Sequence, residues 1–212
     1  MLTAIIDYGS GNLHSAEKAF QRMAGEVNAG QVVVTSDPDV IAGADRIVLP
    51  GDGAFPACRA ELFDHKGIFQ AMEDAVVRRA HPFLGICVGM QLMASWGREY
   101  VDTPGLGWIK GDVVEIKPSD PKLKVPHMGW NNLVFDGDHP VLSGLVEGCH
   151  AYFVHSYHYR VEDPADLLAH VDYGGKLTAI ITRENMIGMQ FHPEKSQMTG
   201  LRMIANFLSW AP

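Results

Sequence analysis

Four short apolar runs rich in β-branched residues, at 2–7, 32–35, 46–49 and 83–87, alternate with stretches of helical spacing at 13–23, 67–79 and 88–96. That alternation constrains the fold more than any other feature. A strand that is apolar along its whole length is buried on both faces, and crossover helices are what cover both faces of a parallel sheet. From about residue 108 the character changes. Segments 109–117, 131–135, 151–161, 168–173, 178–182 and 187–191 read as half-buried strands, with Arg183-Glu184-Asn185 as a hairpin turn. Segment 200–210 places Leu201, Ile204, Phe207 and Leu208 at helical spacing. The expected fold is α/β: a mixed, mostly parallel central sheet flanked by helices, with antiparallel strands in the second half. There is no repeat, low-complexity tract or linker, so residues 1–212 read as one domain.

Composition narrows the function classes. Apolar residues make up 47% and charged residues 20%, an ordinary globular balance. The net charge of -8, without a basic patch, argues against a nucleic-acid partner. No basic cluster flanks an apolar helix and no apolar run would span a bilayer, which argues against a membrane role. The N-terminal residues lack the pattern of a signal peptide, so the expected location is the cytoplasm. The three cysteines, Cys58, Cys87 and Cys149, are odd in number and irregularly spaced, unlike a disulfide framework. Reduced thiols are then available for chemistry.

Cys87 stands in Gly85-Ile86-Cys87-Val88-Gly89, after an apolar strand and at the start of a helix. This is a cysteine version of the strand-turn-helix elbow, in which a sharp turn pushes the nucleophile clear of the sheet. Glycines on either side allow close packing around the turn. The Val88 N–H can meet a developing oxyanion, and a helix start favours a thiolate. The pentapeptide alone is equally compatible with a buried core cysteine. Gln91, one helical turn on, shares the face of Cys87 and is a candidate pocket residue.

A thiol nucleophile needs a base, and the base an orienting group. His192-Pro193-Glu194 follows the strand at 187–191, and a glutamate two residues beyond a histidine can reach back to the imidazole. A third apolar strand ends in Pro50-Gly51-Asp52-Gly53, where the backbone N–H groups of Gly51, Asp52 and Gly53 are candidates to complete an oxyanion hole beside Cys87. His155 and His158, three apart in one expected strand, face opposite sides, and no His-Glu-x-x-His or Cys-x-x-Cys pattern is present. No metal or cofactor is expected.

Together, Pro50-Gly51-Asp52-Gly53, the segment from Gly85 to Gln91, and His192-Pro193-Glu194 resemble the class I, or triad, glutamine amidotransferases, over almost the whole chain. Four further segments, 7–12, 126–131, 152–157 and 192–196, look like the branch that forms the glutaminase subunits of imidazole glycerol phosphate synthases. The resemblance implies that Cys87 attacks the glutamine carboxamide to form a glutamyl thioester. His192 would protonate the departing ammonia and then activate water, with Glu194 orienting His192. Gln91 and the backbone at Ser156 and Tyr157 would hold the glutamine. It also implies a (β/α)8-barrel cyclase partner that consumes the ammonia. Gly9, Ser10, Asn12, Phe55, His127, Met128, Trp130 and Asn131 are candidates for the docking face, Trp130 foremost because tryptophan is enriched at interface hot spots. The family more often has valine where Asp52 stands, and its oxyanion loop is thought to be misaligned until the partner's ligand arrives.

Other readings compete. Subunits serving anthranilate, aminodeoxychorismate or guanylate synthesis share the triad, but the 126–131 segment argues against them. α/β-Hydrolases usually place the acid before the histidine, whereas Glu194 follows His192. A non-catalytic binding module would not need all three triad positions filled.

Overall fold

The computed structural model describes residues 1–212. The first half runs β1 (Leu2–Ile6), α1 (Leu13–Val27), β2 (Gln31–Thr35), α2 (Pro38–Ala42), β3 (Arg46–Gly51), α3 (Phe55–Asp64), α4 (Ile68–Glu73), β4 (Phe83–Cys87) and α5 (Val88–Gln91). The second half adds β5 (Trp96–Gly97), β6 (Thr103–Pro104), β7 (Gly111–Glu115), β8 (His127–Asn132), β9 (Val134–Phe135), β10 (His150–His155), β11 (Tyr157–Val161), β12 (Leu167–Asp172), β13 (Lys176–Arg183), β14 (Met186–Met189) and α6 (Gln197–Ser209).

The main sheet has eight strands in the order β2-β1-β3-β4-β14-β13-β12-β9. The five from β2 to β14 are parallel. The remaining three join antiparallel. Every residue of β3, β4 and β14 is buried, as expected of central strands covered by helices. On one side α1 and α6 pack together. α1 buries Ala16, Ala19, Phe20, Met23 and Ala24, a single helical stripe, and α6 buries Met203, Ile204, Phe207 and Leu208. Phe20 and Phe207 meet edge to face with ring centroids 6.5 Å apart. α1 starts where Asn12 accepts from the Ser15 N–H and ends where Asn28 takes the left-handed conformation.

The mostly parallel sheet with antiparallel additions agrees with the expectation, while several boundaries differ. The expected strand at 151–161 is two strands in two different small sheets. β10 pairs only with β8, and β11 belongs to the order β11-β7-β5-β6. The break falls at Ser156, whose carbonyl accepts from the Ile116 N–H at 2.9 Å. Alternation of apolar residues carries through such a change of partner without a mark. The helix expected at 88–96 stops at Gln91, because a crossing loop takes the next carbonyls: Leu106 N–H bonds Leu92 at 2.7 Å and Gly107 N–H bonds Ala94 at 2.9 Å. The helix expected at 67–79 is α4 followed by a π-helical turn at Asp74–Arg78. The strand expected at 131–135 begins earlier, at His127, and splits at Leu133.

Candidate active site

Cys87 ends β4 with φ 54° and ψ -114°, a conformation L-residues rarely adopt and a local strain of the kind found at nucleophile elbows. The packing around it requires glycine. A Cβ on Gly89 would lie 1.8 Å from the Leu49 carbonyl oxygen, and one on Gly85 would lie 2.7 Å from the Gly89 carbonyl oxygen. β3 and β4 are in register with Gly51 opposite Cys87, which brings the Pro50–Gly53 loop beside the sulfur.

His192 follows β14, the strand that pairs with β4 on its other side. Glu194 sits in the short turn Pro193–Lys195, and its Oε1 lies 3.0 Å from His192 Nδ1. Both side chains are buried, 5% and 3% exposed, so the ion pair is shielded from solvent. With Nδ1 facing Glu194, Nε2 is the nitrogen left for the Cys87 thiol. Burial opposes protonation of His192, but its interactions with Cys87 and Glu194 outweigh burial and raise its pKa to about 10. His192 therefore carries a proton at neutral pH, available to a leaving group in the pocket. Glu194 Oε2 is buried with no hydrogen-bond partner, which leaves the imidazolium as the main compensation for that carboxylate.

Cys87 opens onto a cavity of about 250 Å³ whose lining includes Val88, Gln91, Glu99, His155, Ser156 and Tyr157. That is at the small end of ligand pockets, roughly 300–1,000 Å³. Val88, the first residue of α5, has no intrahelical acceptor for its N–H. Gln91 donates through Nε2 to the Tyr157 carbonyl at 3.1 Å and to Gln190 Oε1 at 3.0 Å. Gln190, fully buried, places its own Nε2 3.8 Å from Cys87 Sγ.

The oxyanion loop departs from the expectation in one respect. The Asp52 N–H donates to Ser10 Oγ at 3.1 Å, and Ser10 Oγ donates back to the Asp52 carbonyl at 2.7 Å. Cys58 Sγ reaches the same carbonyl at 3.6 Å. Asp52 N–H is thus turned to Ser10 rather than presented as an oxyanion donor, while Gly53, at φ 120°, takes a backbone conformation suited to glycine.

The expected docking residues divide. Met128 and Trp130 are exposed, 61% and 47%, on one face of β8, and Trp130 meets Tyr152 edge to face across the ribbon. Gly9 is exposed, while Asn12 caps α1. Phe55 is corrected: its side chain is fully buried, with its ring against Gly97, and offers nothing to a partner. Ser10 and His127 are also buried, the first holding Asp52 and the second bonded to His155. His155 and His158 lie on different strands of different sheets. No group of three His, Cys, Asp or Glu side chains is placed to hold a metal ion.

Two residues of the site, one lining the pocket and one behind it, were not singled out from the sequence. Glu99 lies in a loop without a motif and is buried, with Oε2 accepting from the Phe55 N–H at 2.7 Å. Gln190 had a readable signal: a lone amide between apolar residues immediately before Phe191-His192.

Comparison with known proteins agrees with this site. The model of the class-I glutamine amidotransferase family matches residues 4–210, and the chain belongs to that family; it is a glutamine amidotransferase. Similar curated relatives are named imidazole glycerol phosphate synthase subunit HisH. The Ruegeria pomeroyi protein is 68% identical over the full length of both chains, and that of Rhodospirillum rubrum is 59% identical, also over both full lengths. A solved structure described as a glutamine amidotransferase shares the fold, with a TM-score of 0.72 and 16% identity over 98% of this chain and 99% of the other.

Proposed function

We propose that this chain is the glutaminase subunit of an imidazole glycerol phosphate synthase, working as a single domain over residues 1–212. The observation that carries the catalytic part is the buried Cys87–His192–Glu194 line beside a small pocket. The thiolate of Cys87 attacks the carboxamide carbon of glutamine, and the oxyanion gathers N–H donors from Val88 and, once Ser10 releases it, from the Gly51–Gly53 loop. His192 gives its proton to the departing nitrogen, releasing ammonia and leaving a glutamyl thioester. It then takes a proton from water, whose oxygen attacks the thioester to release glutamate and restore the thiolate. Glu194 keeps His192 in the orientation both steps use. The Glu99 carboxylate is suited to the substrate's α-ammonium group, and Gln91 and the backbone of Ser156 and Tyr157 line the same pocket.

Full-length similarity to HisH subunits supports the assignment to that synthase. A subunit implies a partner, which the reading takes to be a (β/α)8-barrel cyclase that docks over β8 and receives the ammonia before water protonates it. In the bond pattern seen here Ser10 holds the Asp52 peptide, so docking would have to release that loop for full activity. No helix is long and apolar enough to cross a membrane, and the three cysteines are unpaired, both compatible with work in the cytoplasm.

The test is glutamate release from glutamine by the purified chain alone, then with the cyclase and its nucleotide ligand, with Cys87→Ala as control. Strong stimulation by the liganded partner, absent in the variant, is expected. Activity that the partner leaves unchanged would point to another synthase, and no glutamate from folded protein in any mixture would contradict the enzymatic reading.

A further inference from the structure

From the pocket wall inward, two buried histidines make a hydrogen-bond chain of a single direction. His155 Nδ1 lies 2.9 Å from the Tyr157 carbonyl, which can only accept, so Nδ1 carries the proton. Its Nε2 lies 2.9 Å from His127 Nδ1. His127 Nε2 in turn lies 3.2 Å from Asn131 Nδ2. Burial lowers the pKa of both rings. It takes His127 to about 4, and His155, further depressed by the nearby His127, His158 and His192, to about 3 despite its bond to Tyr157. Each ring is then neutral near pH 7, with one proton and one acceptor nitrogen. Only one assignment satisfies every contact: Asn131 donates to His127, His127 to His155, and His155 to Tyr157.

Both ends are anchored. Asn131 Nδ2 also donates to the Asp172 carbonyl at 3.0 Å, and its Oδ1 accepts from the Asn132 N–H at 2.8 Å, so its amide cannot turn over without losing bonds. The His127 ring is held between Phe153 and Tyr173, at 4.9 and 4.1 Å between centroids. At the far end the Tyr157 carbonyl accepts from both His155 and Gln91. The two hydrogens of Gln91 Nε2 go to that carbonyl and to Gln190, which leaves Oε1 as the atom Gln91 can offer the pocket it lines.

We propose that Asn131, His127 and His155 are positioning residues for the glutamine substrate, a one-directional chain that fixes the Tyr157 carbonyl and so makes Gln91 present an acceptor oxygen to the substrate. None of the three touches the reacting atoms. The inference rests on the glutaminase reading.

The test compares two reagents for Cys87 in the full chain: the diazo-ketone analogue of glutamine, which must occupy the pocket, and iodoacetamide, which need not. His127→Leu keeps an apolar filling but leaves His155 Nε2 without its donor. His127→Asn sacrifices packing but places an amide N–H where Nδ1 stood. Losing a buried donor predicts about tenfold slower reaction of His127→Leu with the glutamine analogue, iodoacetamide rates within about twofold of wild type, and recovery in His127→Asn. The proposal is overturned if His127→Leu matches wild type with the analogue, if both reagents slow together, or if His127→Asn is the worse variant. A wild-type chain that labels with iodoacetamide but shows no preference for the analogue would instead overturn the glutaminase reading beneath it.

Discussion

The pocket has a floor and a wall, and they are held in different ways. Cys87 on the floor is placed by backbone packing between fully buried β3, β4 and β14, where the Gly89 Cα approaches the Leu49 carbonyl too closely for any side chain. The wall at His155, Ser156 and Tyr157 lies at the junction of two small sheets and is tied by side-chain hydrogen bonds through His127 and Gln91. A backbone-packed element tolerates almost no added volume, whereas a side-chain network fails one bond at a time. The floor should therefore break as a fold and the wall as a binding site.

Gly89→Ala tests the floor most severely. The new methyl meets a backbone carbonyl that cannot rotate away, so unfolding free energy should fall by about 3 kcal/mol or more, read from urea denaturation. A loss under about 1 kcal/mol would mean the elbow is less tightly packed than its distances indicate. Glu194→Gln should leave the fold intact and lower kcat roughly a hundredfold by removing the charge that orients His192 and holds its proton. It carries a pH signature too. The folded pKa of His192 is raised, so its contribution to stability is complete below 6.5 and is lost as pH rises toward about 10. Wild-type stability should therefore drop across that window, and in Glu194→Gln the drop should finish at lower pH. Trp130→Ala tests the outer face of the ribbon. With the side chain half exposed, stability should change by less than about 1 kcal/mol, whereas affinity for the cyclase should fall at least tenfold by titration calorimetry if Trp130 is a hot spot.

The same division explains what was legible in the sequence. The floor is written locally: an apolar strand, two glycines and a cysteine within five residues, and a histidine with its glutamate two residues on. The parallel sheet was readable for the same reason, since strands buried on both faces are apolar throughout. The wall depends on contacts far apart in the chain. Nothing near Ser156 indicates that β10 and β11 choose different partners, and nothing near Glu99 marks it as a pocket residue, because its burial comes from the Phe55 N–H. Phe55, a docking-face candidate in the sequence, is fully buried for the same reason. Its partner, Gly97, comes from a strand of two residues that no periodicity reveals.

The most direct measurement is the order in which the three cysteines react with iodoacetamide, located by peptide mass, with and without glutamine. Cys87 should react first, because His192 faces its sulfur and the pocket admits the reagent, and glutamine should protect it while asparagine, one methylene shorter, does not. If Cys58 or Cys149 reacted first, or if glutamine gave Cys87 no protection, the site would not be the glutaminase centre described here.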